Sequence, residues 1–483
     1  MCTPAPIQAM RDAMEQNNWP AAIAVAERWL AEGQNDWRIS LNLAVAYSRS
    51  RLGGAEHPQR LAEQALQLSD NHPQACLGLA EILTTAGRWE QTLELLDQLP
   101  KPQPWLALQL RCEALARLGH RCAALALLEG CPEEQRAWRW HLAMADVYSQ
   151  DCQWSLVESH LRTALLERPS QREVHVNLAL ALLSQQRCEE AWPHYGWRAS
   201  NPRLNAQGIP RALPPLDSLI CREVVVMGEQ GIGDQLMVSR YLPHLAAHCS
   251  GLRIQPAPRL QRLLTRNLPP EVVVEDPGTP LGDAEVIGSA SLPLLFWKEL
   301  GLAASATGGF LTADPQLVTY WNQAMNQLPK GRKLGLGWLG GTSGAEARER
   351  SLSEQDLRDL SSWPEVQWID LQYLPHHRQD HADIAKRAGL HRLGNPGEDL
   401  EDSLALIHCL DGVVTTRQTI AHLAGALGKK GQVLVPARPE WRYWGTGNRW
   451  AWYPSMELLH QNVSGQWGPQ LNQAAQRWRA ASN

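Results

Sequence analysis

The sequence predicts an α-solenoid of stacked helix pairs followed by a pair of Rossmann-like α/β lobes. Three observations carry this reading. Residues 1–200 are rich in Ala, Leu, Gln, Glu and Arg, all good helix formers, and they repeat a large–small residue pair at a near-constant spacing. From about residue 203 the composition shifts to short β-branched runs alternating with helical segments, the pattern of parallel sheets. The chain has 483 residues, which at about 150 per domain gives roughly three folding units.

The large–small pairs are Leu43-Ala44, Leu79-Ala80, Arg111-Cys112, Met144-Ala145 and Leu178-Ala179, with the small members 36, 32, 33 and 34 residues apart. That spacing is close to the ~34-residue tetratricopeptide period. A small residue lets helix A of each unit lie close to its partner, and Ala22, Ala124 and Ala191 do the same for helix B. Gly87 and Gly119 fall at the turns, Pro73, Pro104 and Pro169 end units, and Trp19, Trp89 and Trp154 follow the turns to pack between helices. Five to six helix pairs result, with an insertion around Leu52–Pro58 marking the longest spacing. A generic α-solenoid or helical bundle is the competing reading. Either stack offers a concave face for an extended partner.

Strands are expected at Glu223–Met227, Leu252–Gln255, Val272–Glu275, Leu334–Trp338, Val366–Leu371, Gly412–Thr415 and Gln432–Val435, with a helix through Leu236–His248 and another over Ile420–Leu427. Two strand sets separated near Pro315–Gly331 give the expected boundaries: repeats 1–202, linker 203–221, a first Rossmann-like lobe 222–330, a second 331–465, and a C-terminal helix 466–483.

Ligands of open α/β sheets bind beyond the carboxyl ends of the strands, so three loops matter. In the first, Gly228, Glu229, Gln230, Gly231, Ile232 and Gly233 lead into Asp234, where a helix start offers free N–H groups. Asp234 there suits a general base toward an acceptor hydroxyl, or a plain helix cap. The second loop, Trp338 to Ser343, carries Gly340 and runs on to Arg348 and Arg350, a glycine turn followed by groups that bind anionic oxygens. The alternative is a solvated loop. The third, Thr415 to Thr419, pairs hydroxyls with a helix start, for an anion or for ordinary Thr capping. His422 lies one turn in, in a structural or a catalytic place.

Composition narrows the classes. Net charge is −5 with no basic stripe, so nucleic acid is not an expected partner. The ten cysteines are scattered without CxxC or metal-ligand spacing. No apolar run is long enough to cross a membrane, and no secretory pattern opens the chain, so the expected compartment is the cytoplasm. The glycine loop lacks GxGxxG, which argues against a dinucleotide oxidoreductase.

The block GEQGIGDQLMVSRYLP (Gly228 to Pro243), the segment from Asp402 to Gly428, PEWRYW (Pro439–Trp444) and WYPSM (Trp452–Met456) occur in order behind Glu190-Ala191-Trp192, Tyr195 and Trp197-Arg198. Together they resemble bacterial tetratricopeptide-repeat glycosyltransferases, similar to O-GlcNAc transferase and ADP-heptosyltransferase-type GT-B enzymes. The resemblance implies a first lobe on the acceptor side and a second on the nucleotide-sugar side. It implies metal-independent, inverting transfer to a protein or glycan hydroxyl, with no cofactor beyond the nucleotide-sugar substrate and the repeats recruiting the acceptor. A homodimer is a state such solenoids often adopt. Asp234 takes the place of the base, and Trp338, Gly340, Arg350, Gln372, Thr419, His422 and Gly425 match positions near the donor. Two positions depart from the pattern: Arg417 stands where an acid is usual, and Gly341 where Asn is usual. Arg417 therefore either meets a diphosphate or marks a lobe that serves as a non-catalytic scaffold.

Overall fold

Small side chains recur along the first half because helices there pack backbone to backbone. In the computed structural model, which describes residues 5–480 apart from 16–17, 34, 51–55, 102, 201–208, 211, 302–307, 341–349, 375–378, 396, 445–447 and 464, that half is a run of twelve helices. They are α1 (Ala5–Glu15), α2 (Trp19–Ala31), α3 (Trp37–Ser50), α4 (Glu56–Leu68), α5 (Pro73–Thr85), α6 (Trp89–Asp97), α7 (Trp105–Arg117), α8 (Arg121–Glu129), α9 (Trp138–Ser149), α10 (Trp154–Glu167), α11 (Arg172–Ser184) and α12 (Cys188–Tyr195). The expected large–small pairs sit on the odd-numbered helices α3 to α11, and Ala44, Ala80, Cys112, Ala145 and Ala179 are all buried. Ala22, Ala124 and Ala191 are fully buried on α2, α8 and α12. Gly87 and Gly119 take left-handed backbone, φ 71° and 84°, which lets the chain reverse between helices without a Cβ clash. Trp19, Trp89 and Trp154 open α2, α6 and α10, as expected of residues just past a turn. Most of the expected insertion near Leu52 lies outside the described residues.

The chain divides into two compact units, one built on Met1–Ala181 and the other on Leu182–Ser200, Gly208–Thr342 and Ala347–Asn483. The division falls inside α11, so α12 and the single 3-10 turn Gly196–Ser200 belong with the α/β unit and not with the expected 1–202 repeat block.

The second unit holds two sheets. The first, ordered β3-β2-β1-β4, consists of β1 (Glu223–Met227), β2 (Gly251–Gln255), β3 (Val272–Val274) and β4 (Glu285–Gly288), all parallel. Its helices are α13 (Ile232–Ser239), α14 (Leu242–Ala246), α15 (Gln261–Asn267) and α16 (Leu292–Leu300). The single helix expected through Leu236–His248 is two, because Pro243 has no N–H to give Ser239 and its ring crowds that carbonyl. Strand β4 had no strong sequence signal; only four residues pair, and only Ile287 and Gly288 are buried.

After α17 (Pro315–Met325), the second sheet contains β5 (Arg332–Gly337), β6 (Val366–Asp370), β7 (Gly412–Thr416), β8 (Gly431–Val435), β9 (Arg449–Trp450) and β10 (Tyr453–His460). The order is β6-β5-β7-β8-β10-β9, parallel except for β9, which is antiparallel to β10. Helices α18 (Glu354–Ser361), α19 (Gln379–Arg387), α20 (Leu400–Cys409), α21 (Thr419–Ala426) and α22 (Gly468–Ala480) complete it. Every residue of β7 and β8 is buried, the polar Thr415, Thr416 and Gln432 included, so neither strand shows the alternation of a half-solvated sheet. Trp321 on α17 donates its indole N–H to Asp402 on α20 at 2.8 Å, so this helix packs with the second sheet although it lies inside the expected 222–330 lobe. The nine described cysteines are free, and among the described residues no helix is long and apolar enough to cross a membrane.

The small-residue contacts make a direct prediction. Ala80 on α5 is fully buried in the repeat core, so Ala80→Leu should overpack it and cost about 1–3 kcal/mol. Leu166→Glu, at a side chain 84% exposed, should stay within about 0.5 kcal/mol. Urea unfolding midpoints of the full chain compare the two.

Candidate functional site

The glycine loop leaves β1 at Met227 under tight constraint. A Cβ on Gly228 would fall 2.9 Å from the Gln255 carbonyl oxygen and 2.6 Å from Gln235 Oε1. Glu229, expected to face an acceptor, is instead 5% exposed. Arg198, on the turn after α12, donates to both of its oxygens and to Ser291 Oγ at 2.7 Å. The Ala290 N–H donates to Glu229 Oε1 at 3.1 Å, and the Glu229 N–H to Ser289 Oγ at 3.1 Å. Glu229 therefore anchors the loop. Gln230 is exposed with φ 66°, and Gly231 is the N-cap of α13. Asp234 sits at the third helical position and accepts the Gly231 N–H at 3.1 Å through Oδ2. Its other oxygen, Oδ1, accepts from Arg442 Nε across the two sheets. Capping and ion pairing thus fall on one carboxylate.

The loop after β5 is shaped from below. Trp338 is 2% exposed in the core of the second sheet and donates to Asp370 Oδ1 at 3.1 Å. Gln372 accepts the Leu339 N–H at 3.0 Å and gives its own N–H to Asp370. Asp370 is fully buried and also takes Arg392 at 2.6 Å; burial nonetheless moves its carboxyl above the usual range. The Gly340 N–H donates to Ser351 Oγ at 3.0 Å, and a Cβ on Gly340 would overlap Arg350 Cβ at 2.2 Å. Trp338 and Gln372 therefore hold the loop, and Gly340 lets Arg350 pass. Gly341, Ser343 and Arg348 lie outside the described residues.

Beyond β7, Thr416 Oγ1 donates to the Leu339 carbonyl at 3.2 Å, joining the second loop to the third. Thr419 is the first residue of α21 and not its cap; Gln418 takes the cap position, with its side chain turned to Thr416 Oγ1 at 3.3 Å. His422 is buried among the rings of Tyr443, Trp450 and Tyr453, with Nδ1 3.2 Å from the Tyr453 hydroxyl. Burial, with Arg442 and Arg240 adding to it, pulls its pKa down to about 3, so the imidazole is neutral. A Cβ on Gly425 would lie 2.3 Å from Tyr453 Cγ, so this glycine serves packing.

The loops converge on a charge cluster. Glu440 Oε1 lies 3.4 Å from Arg417 Nη1 and 3.5 Å from Arg350 Nη1, and Oε2 lies 3.2 Å from Arg442 Nη1. Burial would raise the Glu440 carboxyl, but Arg417, Arg442 and Arg350 outweigh it and hold it below its usual range. For Arg442 burial works against the charge, and Asp234, Tyr195 and Glu440 more than reverse that. The Arg417 guanidinium lies over the Tyr443 ring at 5.5 Å and that of Arg442 over Trp441 at 4.6 Å. Glu440 and Arg442 were not singled out as site residues from sequence, although the PEWRYW segment that carries them was. Guanidiniums gathered in this way can bind anionic oxygen, and a carboxylate beside them can accept a proton.

Comparison with known proteins bears on the repeats first. The tetratricopeptide repeat family model matches residues 59–105. Protein FlbA of Caulobacter vibrioides (strain ATCC 19089 / CIP 103742 / CB 15) is 27% identical over 327 residues, which are 62% of this chain and 53% of FlbA. The chain thus spans about half the length of that curated relative. Among solved structures, an O-GlcNAc transferase mutant from Thermobaculum terrenum aligns with 93% of this chain and 94% of its own at 12% identity and a TM-score of 0.34. A glycosyl transferase family 9 structure from Veillonella parvula DSM 2008 aligns with 54% of this chain and 98% of its own at 10% identity and a TM-score of 0.41.

Two outcomes follow from the buried groups. Arg198→Met leaves the Glu229 carboxylate buried without its guanidinium and should cost about 3–5 kcal/mol, read from chemical unfolding. His422 titrates near 6.5 when unfolded and near 3 when folded, so the unfolded state binds the extra proton as pH falls. Its contribution is full above pH 6.5 and shrinks by about 2 kcal/mol on going to pH 5. The stability gap between the wild type and His422→Gln should therefore close between pH 7 and 5; a constant gap would contradict a buried neutral imidazole.

Proposed function

We propose that the α/β unit transfers a sugar from a nucleotide-sugar donor to a hydroxyl of a protein or glycan acceptor that the tetratricopeptide repeats recruit. The observation that carries this reading is the meeting of Asp234, on the glycine loop of the first sheet, with Arg442, on the loop after β8 of the second. A base candidate and a cation cluster from the two sheets then share one place, beyond the carboxyl ends of parallel strands, where ligands of such sheets bind.

In this mechanism Asp234 accepts the acceptor's hydroxyl proton while that oxygen bonds to the anomeric carbon. The bond from that carbon to the diphosphate oxygen breaks, and the leaving oxygen keeps the electron pair. Attack opposite the leaving group inverts the anomeric centre. Arg350, Arg417 and Arg442 are placed to meet the negative charge that develops, the part a preorganised electrostatic site plays. No metal ion is needed in this scheme, and a chelator should leave turnover unchanged. Holding both substrates in one place supplies the proximity contribution.

A second reading, a binding protein that keeps the fold without chemistry, is favoured by the engagement of both Asp234 oxygens and by Arg417 in the place of the usual acid.

Thermal stabilisation by a panel of nucleotide sugars separates the two, since a ligand of the folded state raises apparent stability. A shift with one donor supports transfer, and none with any favours the scaffold. With the donor known, Asp234→Asn should lower turnover about 10²–10⁴-fold while donor binding persists. Unchanged turnover removes Asp234 from the reaction.

A further inference from the structure

We propose that Glu440 is a resident carboxylate standing in the place of a diphosphate-class ligand, and that such a ligand, by taking Arg442, releases Asp234 to act as the base. For its physiological ligand this rests on the donor reading above; its test does not.

The geometry of the carboxylate argues for exchange. Arg350, Arg417 and Arg442 come from three separate loops, after β5, β7 and β8, yet all point to one side chain. Their contacts with it are long, 3.5, 3.4 and 3.2 Å. Well-formed charge-assisted hydrogen bonds are nearer 2.7–2.9 Å. Arg392 reaches Asp370 at 2.6 Å beside the same sheet, so close pairs do form nearby. The two oxygens of one carboxylate lie close together, whereas the three guanidiniums approach from three loops. Two linked phosphate groups offer more oxygens over a longer span.

Exposure gives the direction of approach. The Arg417 and Arg442 side chains are 4% and 15% exposed, whereas that of Glu440 is 39% exposed. The cations form the floor and the carboxylate lies on the solvent side. Aromatic rings back the two deeper guanidiniums, so they stay in place when Glu440 leaves.

Arg442 links binding to chemistry. One guanidinium serves Asp234 through Nε and Glu440 through Nη1. Phosphate oxygens that take Arg442 compete with both carboxylates, and Asp234 then holds its cap bond to Gly231 with Oδ1 free for a proton. The base becomes available when the donor is present. By linkage, whatever weakens the carboxylates' hold on Arg442 must tighten the anion.

The test is calorimetric titration of the full-length protein with inorganic pyrophosphate, with orthophosphate and sulfate as comparators. Glu440→Gln keeps the shape and removes the competing charge, so pyrophosphate should bind about tenfold tighter or more, while Arg442→Lys should weaken it by at least about tenfold. Asp234→Asn should also tighten it; unchanged affinity there overturns the release of Asp234. Equal or weaker binding to Glu440→Gln than to wild type, or no binding to either, overturns the site itself. Circular dichroism establishes that each variant is folded, and the Glu440→Gln result stands even if Arg442→Lys does not fold. If pyrophosphate behaves as stated and no nucleotide sugar binds or turns over, the glycosyl-transfer reading fails alone.

Discussion

A Cβ on Gly233 would fall 2.7 Å from His422 Cδ2, so α13 of the first sheet lies directly on α21 of the second, and only glycine permits the approach. That contact governs the arrangement of the α/β unit. It turns the carboxyl ends of β1 and β7 toward a common place and sets Asp234, the next residue, within reach of Arg442. The far end of α13 is held as well. Arg240 caps the helix, donates to the Met237 and Trp452 carbonyls at 2.8 Å each, and lies 4.8–5.6 Å from the rings of Phe310, Trp452 and Tyr453. Burial lowers its pKa, yet ring faces and carbonyls together offset the loss of water that a buried cation suffers. A helix fixed at both ends by arginine can present Asp234 at one position.

A second set of contacts fixes the loops around it. Trp192 and Tyr195 on α12 pack edge-on against Trp441, the neighbour of Arg442, and Trp192 also meets Trp297 on α16. Three residues further, Arg198 anchors Glu229 in the glycine loop. One short segment thus touches both the loop carrying the base candidate and the loop carrying the cation. A buried ion pair of this kind contributes little net stability against an apolar substitute, so its effect here lies in position more than in energy. It also accounts for the placement of Leu182–Ser200 with the α/β unit.

The repeats were legible because their signal is local: a buried small residue every helix pair, with glycine at the turns. The strands were legible where apolar β-branched residues run together, and Glu223–Met227 and Val272–Val274 fall where the composition placed them, the latter one residue shorter. Strand β10 was missed since its Pro454, Ser455 and Glu457 break that run, and it pairs with β8 through backbone alone as far as sequence can tell. The candidate site was only half visible. Loops after strands can be found by motif, but whether a polar residue faces a ligand or holds the backbone depends on partners far along the chain. Glu229 meets Arg198 and Ser289, and Trp338 meets Asp370, across 31, 60 and 32 positions. Glu440 and Arg442 matter because they face Asp234, Arg350 and Arg417, and no spacing rule expresses that.

Arg417 is the residue on which sequence left two opposite readings. A cation that replaces an acid in a decaying site would be buried at a cost of several kcal/mol, with nothing selected to meet it. Here the side chain is 4% exposed, its charge faces Glu440, and its plane lies over Tyr443. Glu440 is in turn shared with Arg350 and Arg442, and the acid absent from the start of α21 has a counterpart on the loop after β8. The charge reversal is therefore accommodated by an organised network spanning three loops. Such a network offsets the desolvation that each of its guanidiniums would otherwise suffer on burial.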